Sequence, residues 1–122
     1  MTIARTLAEF LVGKDLEDLP EQAVTHAKMV LASTLASAAC GYDLPSAALV
    51  RTLETERGGQ ADAAVWFDRQ ARLPLVSAAR VNAMASDAAA SDDSDLRNIV
   101  HAGTPVTAAA LATAELTGAN GG

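Results

Sequence analysis

Apolar residues recur along most of this chain at three- and four-residue intervals, the period of an α-helix with one or more buried faces. Ile3, Leu7, Phe10 and Leu11 fall on one helical face with Arg5 and Glu9 on another, and Gly13 is a natural stop. After the polar linker Lys14 to Asp18, Pro20 sits where a first helical residue would, and Glu21 beside it suits the positive end of the helix dipole. Val24, Ala27, Leu31, Leu35 and Ala38 then repeat at helical spacing, with Ala32, Ser33, Ala36 and Ser37 between them. A helix of that kind can be packed closely on most sides, and Gly41 is expected to cap it. Asp43, Leu44 and Pro45 start a third helix, which runs through Leu49, Val50 and Leu53 until Gly58 and Gly59 break it, completing a helical hairpin.

The period then changes. Ala63 to Phe67 holds Val65, Trp66 and Phe67, the densest β-forming run in the chain, and Asp68, Arg69 and Gln70 form a polar turn before Ala71 to Leu73. This predicts a short β-hairpin with Trp66 as a lid over the helical core. Pro74 opens another helix, in which Val76, Ala79, Val81 and Met84 alternate with small residues to about Ala90. Thr104 is a good N-cap with Pro105 at the first helical position, so Val106 to Leu116 reads as a buried, alanine-rich helix ending at Gly118, before the final Gly121 and Gly122. The predicted fold is all-α: antiparallel helices with one short β-hairpin, forming part of one helical domain over residues 1–122 with no second domain.

Composition sharpens this picture. The chain has 122 residues, half of them apolar, which allows one packed core. Its aromatic residues are only Phe10, Tyr42, Trp66 and Phe67, a bias that favours helices over sheets. Alanine-rich helices bury little area each, so the hydrophobic contribution, roughly 25 cal/mol per Å² of apolar surface, stays thin unless helices pack closely or onto something else. The chain is therefore expected to expose apolar helix faces and to be part of a larger body.

A net charge of -6 and scattered basic residues argue against nucleic-acid binding, which needs clustered Lys and Arg. Cys40 is the only cysteine, which excludes an internal disulfide and a cysteine-based zinc site. It is read as a small buried core residue. The start lacks a basic leader and a cleavage site, and the longest low-charge run, Met29 to Tyr42, is too short to span a bilayer, so a cytoplasmic protein without membrane contact is expected.

Candidate chemistry gathers between Asp87 and Pro105, in DAAASDDSDLRNIVHAGTP. Asp92, Asp93 and Asp95 suggest a metal, but the spacing lacks the alternating ligands, sixth-position glycine and terminal glutamate of an EF-hand, and Leu96 stands where a DDxxD motif needs its last aspartate. Acid–base chemistry needs less: a histidine titrates near neutral pH, and a carboxylate such as Asp92 or Asp93 can orient His101 for proton transfer at carbon or oxygen. The helix start at Gly103 and Thr104 offers backbone N–H groups to a carboxylate, and Arg97 can add a bidentate clamp. A solvated acidic loop with a capping histidine is the competing reading of the same residues. His26 has no acidic or histidine partner four residues away and is read as an exposed or locally satisfied side chain.

The succession TLAEFLVG, DLPEQAVTHAKMVLASTLASAACG, RLPLVSAARVNAMASDAAASDDSD and HAGTPVTAAALATAELTGANG resembles the amino-terminal part of the MmgE/PrpD family. That family includes 2-methylcitrate dehydratase, cis-aconitate decarboxylase and iminodisuccinate epimerase. It usually shows a stretch like HALDFDDTH followed by HPG. Asp92 and Asp93 match the paired aspartates, Ser94 replaces the threonine, and His101 with Gly103 resembles the HPG segment, while Asp87 and Ala90 replace a histidine and an aspartate.

The resemblance implies a metal-independent, cofactor-free lyase or isomerase acting on a small di- or tricarboxylate, homodimeric in its full-length form. It assigns proton transfer to His101 and Asp93 and substrate binding to Asp92, Ser94 and Gly103, to which the anion-site reading of the helix start adds Arg97 and Thr104. Dehydration needs a base and an acid for the leaving hydroxyl, whereas epimerisation needs only proton removal and return, so an iminodisuccinate epimerase-like isomerase stands as the alternative to a 2-methylcitrate dehydratase-like lyase. Further catalytic histidine and lysine positions of the family would lie beyond Gly122. The isolated chain is therefore expected to be inactive, and a non-catalytic helical assembly module or truncated remnant is the remaining alternative.

Overall fold

A computed structural model describes residues 2–120; Met1, Gly121 and Gly122 lie outside the described residues. Thr2 caps the first helix, α1 (Ile3–Val12), by accepting a hydrogen bond from the Arg5 amide, and Gly13 closes it. A single 3₁₀ turn, Leu16–Asp18, leads to α2 (Glu21–Gly41). The helical hairpin is completed by α3 (Pro45–Arg57), with Pro45 in its first turn and Gly58 at its end in a positive-φ conformation that glycine adopts without a Cβ penalty. Strands β1 (Ala63–Ala64) and β2 (Arg72–Leu73) pair antiparallel, and α4 (Leu75–Ala88) and α5 (Gly103–Thr117) follow. The described residues thus hold five α-helices and one two-stranded antiparallel sheet, the mostly helical architecture expected from the periodicity.

Helix α4 is the element on which α2, α3, α5 and both strands pack. One side of it meets a cluster of Ala38, Ala47 and Ala85, over which Trp66 lies as the expected lid. The other side meets Ala63, Val65, Leu73, Ala78, Val81 and Ala112. A core built this heavily from alanine gains stability only by bringing backbones together. Gly41 shows how: it is the last residue of α2 rather than a cap beyond it, and a Cβ there would overlap the Ala85 carbonyl oxygen and lie 3.1 Å from the Ala85 carbonyl carbon. The glycine is required by a close helix crossing, not by a left-handed turn.

The hairpin is shorter than expected. Val65 continues the ladder through its amide to the Ala71 carbonyl at 2.9 Å, but Trp66 and Phe67 belong to the turn, with Phe67 at φ 67. Two side chains impose this. Asn82 of α4 is buried and accepts from the Trp66 amide at 2.9 Å while donating to the Ala64 carbonyl at 3.0 Å. Asp68 gathers the Gln70 and Ala71 amides at 3.1 Å each, which holds its carboxyl below the ordinary aspartate range. The buried Glu54 ties α3 to α4 in the same manner, accepting from Ser77 at 2.7 Å and pairing with Arg57 and Arg80.

Two further expectations are corrected. Cys40 is exposed, because the face of α2 turned to α4 carries Thr34, Ser37, Ala38 and Gly41 instead. Helix α1 forms with its predicted apolar face, yet none of its residues is buried, and Ile3 is 89% exposed. Apolar helix faces are indeed left uncovered, and no helix of the described residues is long and apolar enough to cross a membrane.

Candidate functional site

The site forms where α4 ends and α5 begins. Ala89 and Ala90 terminate α4, with Ala90 at φ 49, and the chain turns back through a loop pinned by an Asp95–Val100 bridge. The aspartates of this loop each serve a different protein donor. Asp95 accepts from the Asn98 side chain at 2.7 Å and from the Arg97 amide at 2.9 Å, which lowers its pKa. Asp93 accepts from the Gly103 amide with both carboxylate oxygens, at 2.9 and 3.0 Å. Asp92, whose side chain is only 4% exposed, accepts from the Thr104 hydroxyl at 3.0 Å and meets His101 Nδ1 at 3.2 Å.

Asp93 therefore caps α5 from outside the helix. The helix begins at Gly103, one residue ahead of the expected Thr104 cap, because this carboxylate replaces the local hydroxyl that would otherwise satisfy the first amides. Gly103 makes room for it: a Cβ would reach 2.9 Å from the Asp93 carboxyl carbon and 2.7 Å from Val30 Cγ1. The helix start expected to receive a substrate carboxylate thus already receives one from the chain itself.

The hydrogen bonds of His101 fix its protonation pattern. Nδ1 lies 2.9 Å from the Asp93 main-chain carbonyl, 3.2 Å from the Asp92 carboxylate and 3.4 Å from the Ser94 hydroxyl. A carbonyl oxygen only accepts, so Nδ1 carries the hydrogen and, in the neutral ring, Nε2 carries the lone pair. The side chain of His101 is 48% exposed and borders a groove of about 390 Å³, together with Arg80, Met84, Asp87, Thr104 and Pro105. Arg80, Ala83, Met84 and Asp87 lie three, four and seven residues along α4 and supply one wall of it. Such a groove can hold a small molecule beside an imidazole whose basic nitrogen lies opposite its anchored one.

The structure brings His101, Asp92, Asp93, Ser94, Gly103 and Thr104 together. It does not bring in Arg97, which is exposed on the outer loop and does not border the groove. The cation at the groove is Arg80, held by the buried Glu54. Neither residue stands out in sequence, although Glu54 follows Ala47 and Val50 on one helical stripe, where a lone carboxylate signals a buried pair. Asp93, expected to transfer protons, commits its carboxylate to Gly103, and the carboxylate in contact with the imidazole is that of Asp92. His26 is exposed on α2. No three His, Cys, Asp or Glu side chains converge as a metal-binding group among the described residues.

Comparison with curated proteins and with solved structures gave no match. The family model for the MmgE/PrpD N-terminal domain, in contrast, matches residues 5–122. With nearly its whole length covered by that match, the chain belongs to the MmgE/PrpD family.

Proposed function

We propose that this chain is the amino-terminal portion of a lyase that acts on a small di- or tricarboxylate by general acid–base proton transfer, in the manner of 2-methylcitrate dehydratase. The observation that carries the reading is the His101 arrangement: Nδ1 anchored on Asp92 and the Asp93 carbonyl, Nε2 unprotonated in the neutral ring, and a groove beside it bordered by Arg80. Nε2 is the proton acceptor, Asp92 holds the ring in one tautomer and stabilises the imidazolium that forms, and Arg80 offers a guanidinium to a substrate carboxylate. The reaction requires no metal or cofactor in this scheme. The apolar faces left on α1 and elsewhere support burial against further chain and assembly as a homodimer in a longer protein.

One observation favours a second reading, an epimerase acting on an iminodisuccinate-like acid. Ala90 stands where the family usually has an aspartate, so one acid group is missing, and epimerisation needs only removal and return of a proton.

The test is an assay of the longer protein against a panel of citrate- and aspartate-derived acids. His101→Ala is expected to lower turnover by more than about tenfold, and His26→Ala to leave it unchanged. Equal activity of the two variants contradicts the assignment. Turnover by the 122-residue chain alone contradicts the view that it holds only one wall of the site.

A further inference from the structure

Behind His101 lies a chain of hydroxyls, buried at Thr104, Ser86 and Ser37, whose donors and acceptors can be assigned one by one. Thr104 Oγ1 has a single hydrogen and gives it to the Asp92 carboxylate at 3.0 Å. Ser86 Oγ, 3.2 Å away, must therefore be the donor to Thr104. Ser37 Oγ donates to the Ser86 main-chain carbonyl at 2.9 Å, so Ser91 Oγ, at 2.7 Å from Ser37, donates to Ser37 in turn. Ser86 is 0% exposed and Thr104 6% exposed, so neither hydroxyl exchanges freely with water.

From these bonds we infer that Thr104 is a positioning residue for His101, acting through Asp92, and that Ser86 orients Thr104 for that task. The inference rests on His101 as the proton-transfer group for its functional meaning, but its geometry stands independently. Asp92 Oδ2 accepts from the Thr104 hydroxyl of α5 at 3.0 Å and lies 3.2 Å from the imidazole Nδ1, whose own hydrogen bond goes to the Asp93 carbonyl, so the carboxylate charge sits beside the Nδ1 hydrogen. The Thr104 bond locks the rotation of that carboxylate so that Oδ2 faces Nδ1. Without it, a charged group 4% exposed loses its hydroxyl donor and turns toward any other, water included. The imidazole then keeps only the Asp93 carbonyl as a close acceptor, and the bias toward the tautomer with a basic Nε2 weakens. The Thr104 hydroxyl thus serves the imidazole from behind, and the groove sees only the consequence.

The experiment measures the ring tautomer of His101 in the 122-residue chain by ¹⁵N–¹H NMR, at a pH where both histidines are neutral, with His26 as the internal reference. Wild type is expected to show His101 predominantly protonated on Nδ1. Thr104→Val, nearly isosteric, is expected to lower the ratio of the Nδ1–H to the Nε2–H form by about fivefold, a part of the worth of one hydrogen bond to a charged group, since the effect reaches the ring only through Asp92. Thr104→Ser restores the wild-type ratio, and Ser86→Ala gives an intermediate loss. Ser37→Ala removes an equally buried hydroxyl that does not touch Asp92 and leaves the ratio unchanged. An unchanged ratio in Thr104→Val, or the same loss in Ser37→Ala, overturns the inference. A wild-type ring protonated on Nε2 overturns it as well. Because no turnover is measured, inactivity of the longer protein on carboxylic acids would count against the proposed function and leave this result standing.

Discussion

Replacing Gly41 by alanine should destabilise the fold, although intrinsic helix propensity predicts the opposite. Gly41 is the last residue of α2, where alanine would ordinarily gain up to about 1 kcal/mol. The added methyl, however, would overlap the Ala85 carbonyl oxygen, and it would lie 3.1 Å from the Ala85 carbonyl carbon and 3.2 Å from the Ala89 nitrogen. Carbon atoms in comfortable contact sit at about 3.5–4.0 Å. All three obstructing atoms are backbone, so no side chain can swing aside and α2 must move away from α4. Overpacking of this kind costs about 1–3 kcal/mol and occasionally more. Here the separation would also loosen Ala38 and Ala85, which are buried at that crossing.

The net expectation is a loss of about 2 kcal/mol, with a fall in Tm of roughly 6–10 °C for a domain of this size. Urea unfolding followed by far-UV circular dichroism measures it. Wild type and variant must be compared at one protein concentration, because the exposed apolar faces make the midpoint sensitive to self-association. A variant more stable than wild type by the ordinary glycine-to-alanine gain would refute the close crossing and, with it, the account of how an alanine core holds this chain together.

Two other perturbations read different links of the structure. Gly103→Ala meets side chains rather than backbone, the Asp93 carboxylate and the tip of Val30, so stability should change by less than about 1 kcal/mol. The amide at position 103 should nevertheless lose hydrogen-exchange protection by at least about fivefold, and retained protection would show that Asp93 is not the cap. Glu54→Gln tests a buried ion pair through pH. The Ser77 hydroxyl, followed by Arg80, holds the Glu54 carboxyl below its usual value of 4.5, so the unfolded chain binds the proton more tightly than the folded one. That contribution is present above about pH 4.5 and is lost as the pH falls through the folded-state value. The acid limb of the stability curve should be shallower in Glu54→Gln, without vanishing, since Asp68 and Asp95 are held low in the same direction. An unchanged slope would show that Glu54 carries no such shift.

The helices were legible because their period is strong and their punctuation is chemical: Gly13, Pro45, Gly58 and Pro74 mark ends that the structure places within a residue or two. Gly41 misled for the opposite reason. A glycine that permits a close crossing and a glycine that permits a left-handed cap look alike along the chain, and only the Ala85 carbonyl distinguishes them. Thr104 misled because the cap of α5 comes from ten residues earlier, through Asp93, and no local pattern encodes such a distant partner. In the site, His101 and Asp92 were visible as residue types, but Ser37, Ser86 and Ser91 read as small residues that allow packing. Their hydroxyls acquire a role only when three helices converge, which is tertiary information.

The same convergence bears on the loop that carries the site. Ala90 and Ile99 both adopt positive φ, and Ile99 is β-branched, so the segment holding Asp92 and Asp93 is bounded by two strained residues. Left-handed alanine costs about 1–2 kcal/mol, a cost that an isolated loop would relieve by rearranging. This loop is held instead by Asp92 on Thr104 and Asp93 on Gly103, two carboxylate contacts to the start of α5, while Asp95 on Asn98 closes the loop internally. Aspartate tolerates the left-handed region better than alanine does, because its short polar side chain can hydrogen-bond locally. Ala90 thus sits in a backbone conformation that suits aspartate better than alanine. Ala90→Asp is therefore expected to leave the urea unfolding midpoint unchanged or raised, and a lowered midpoint would refute this account of the loop.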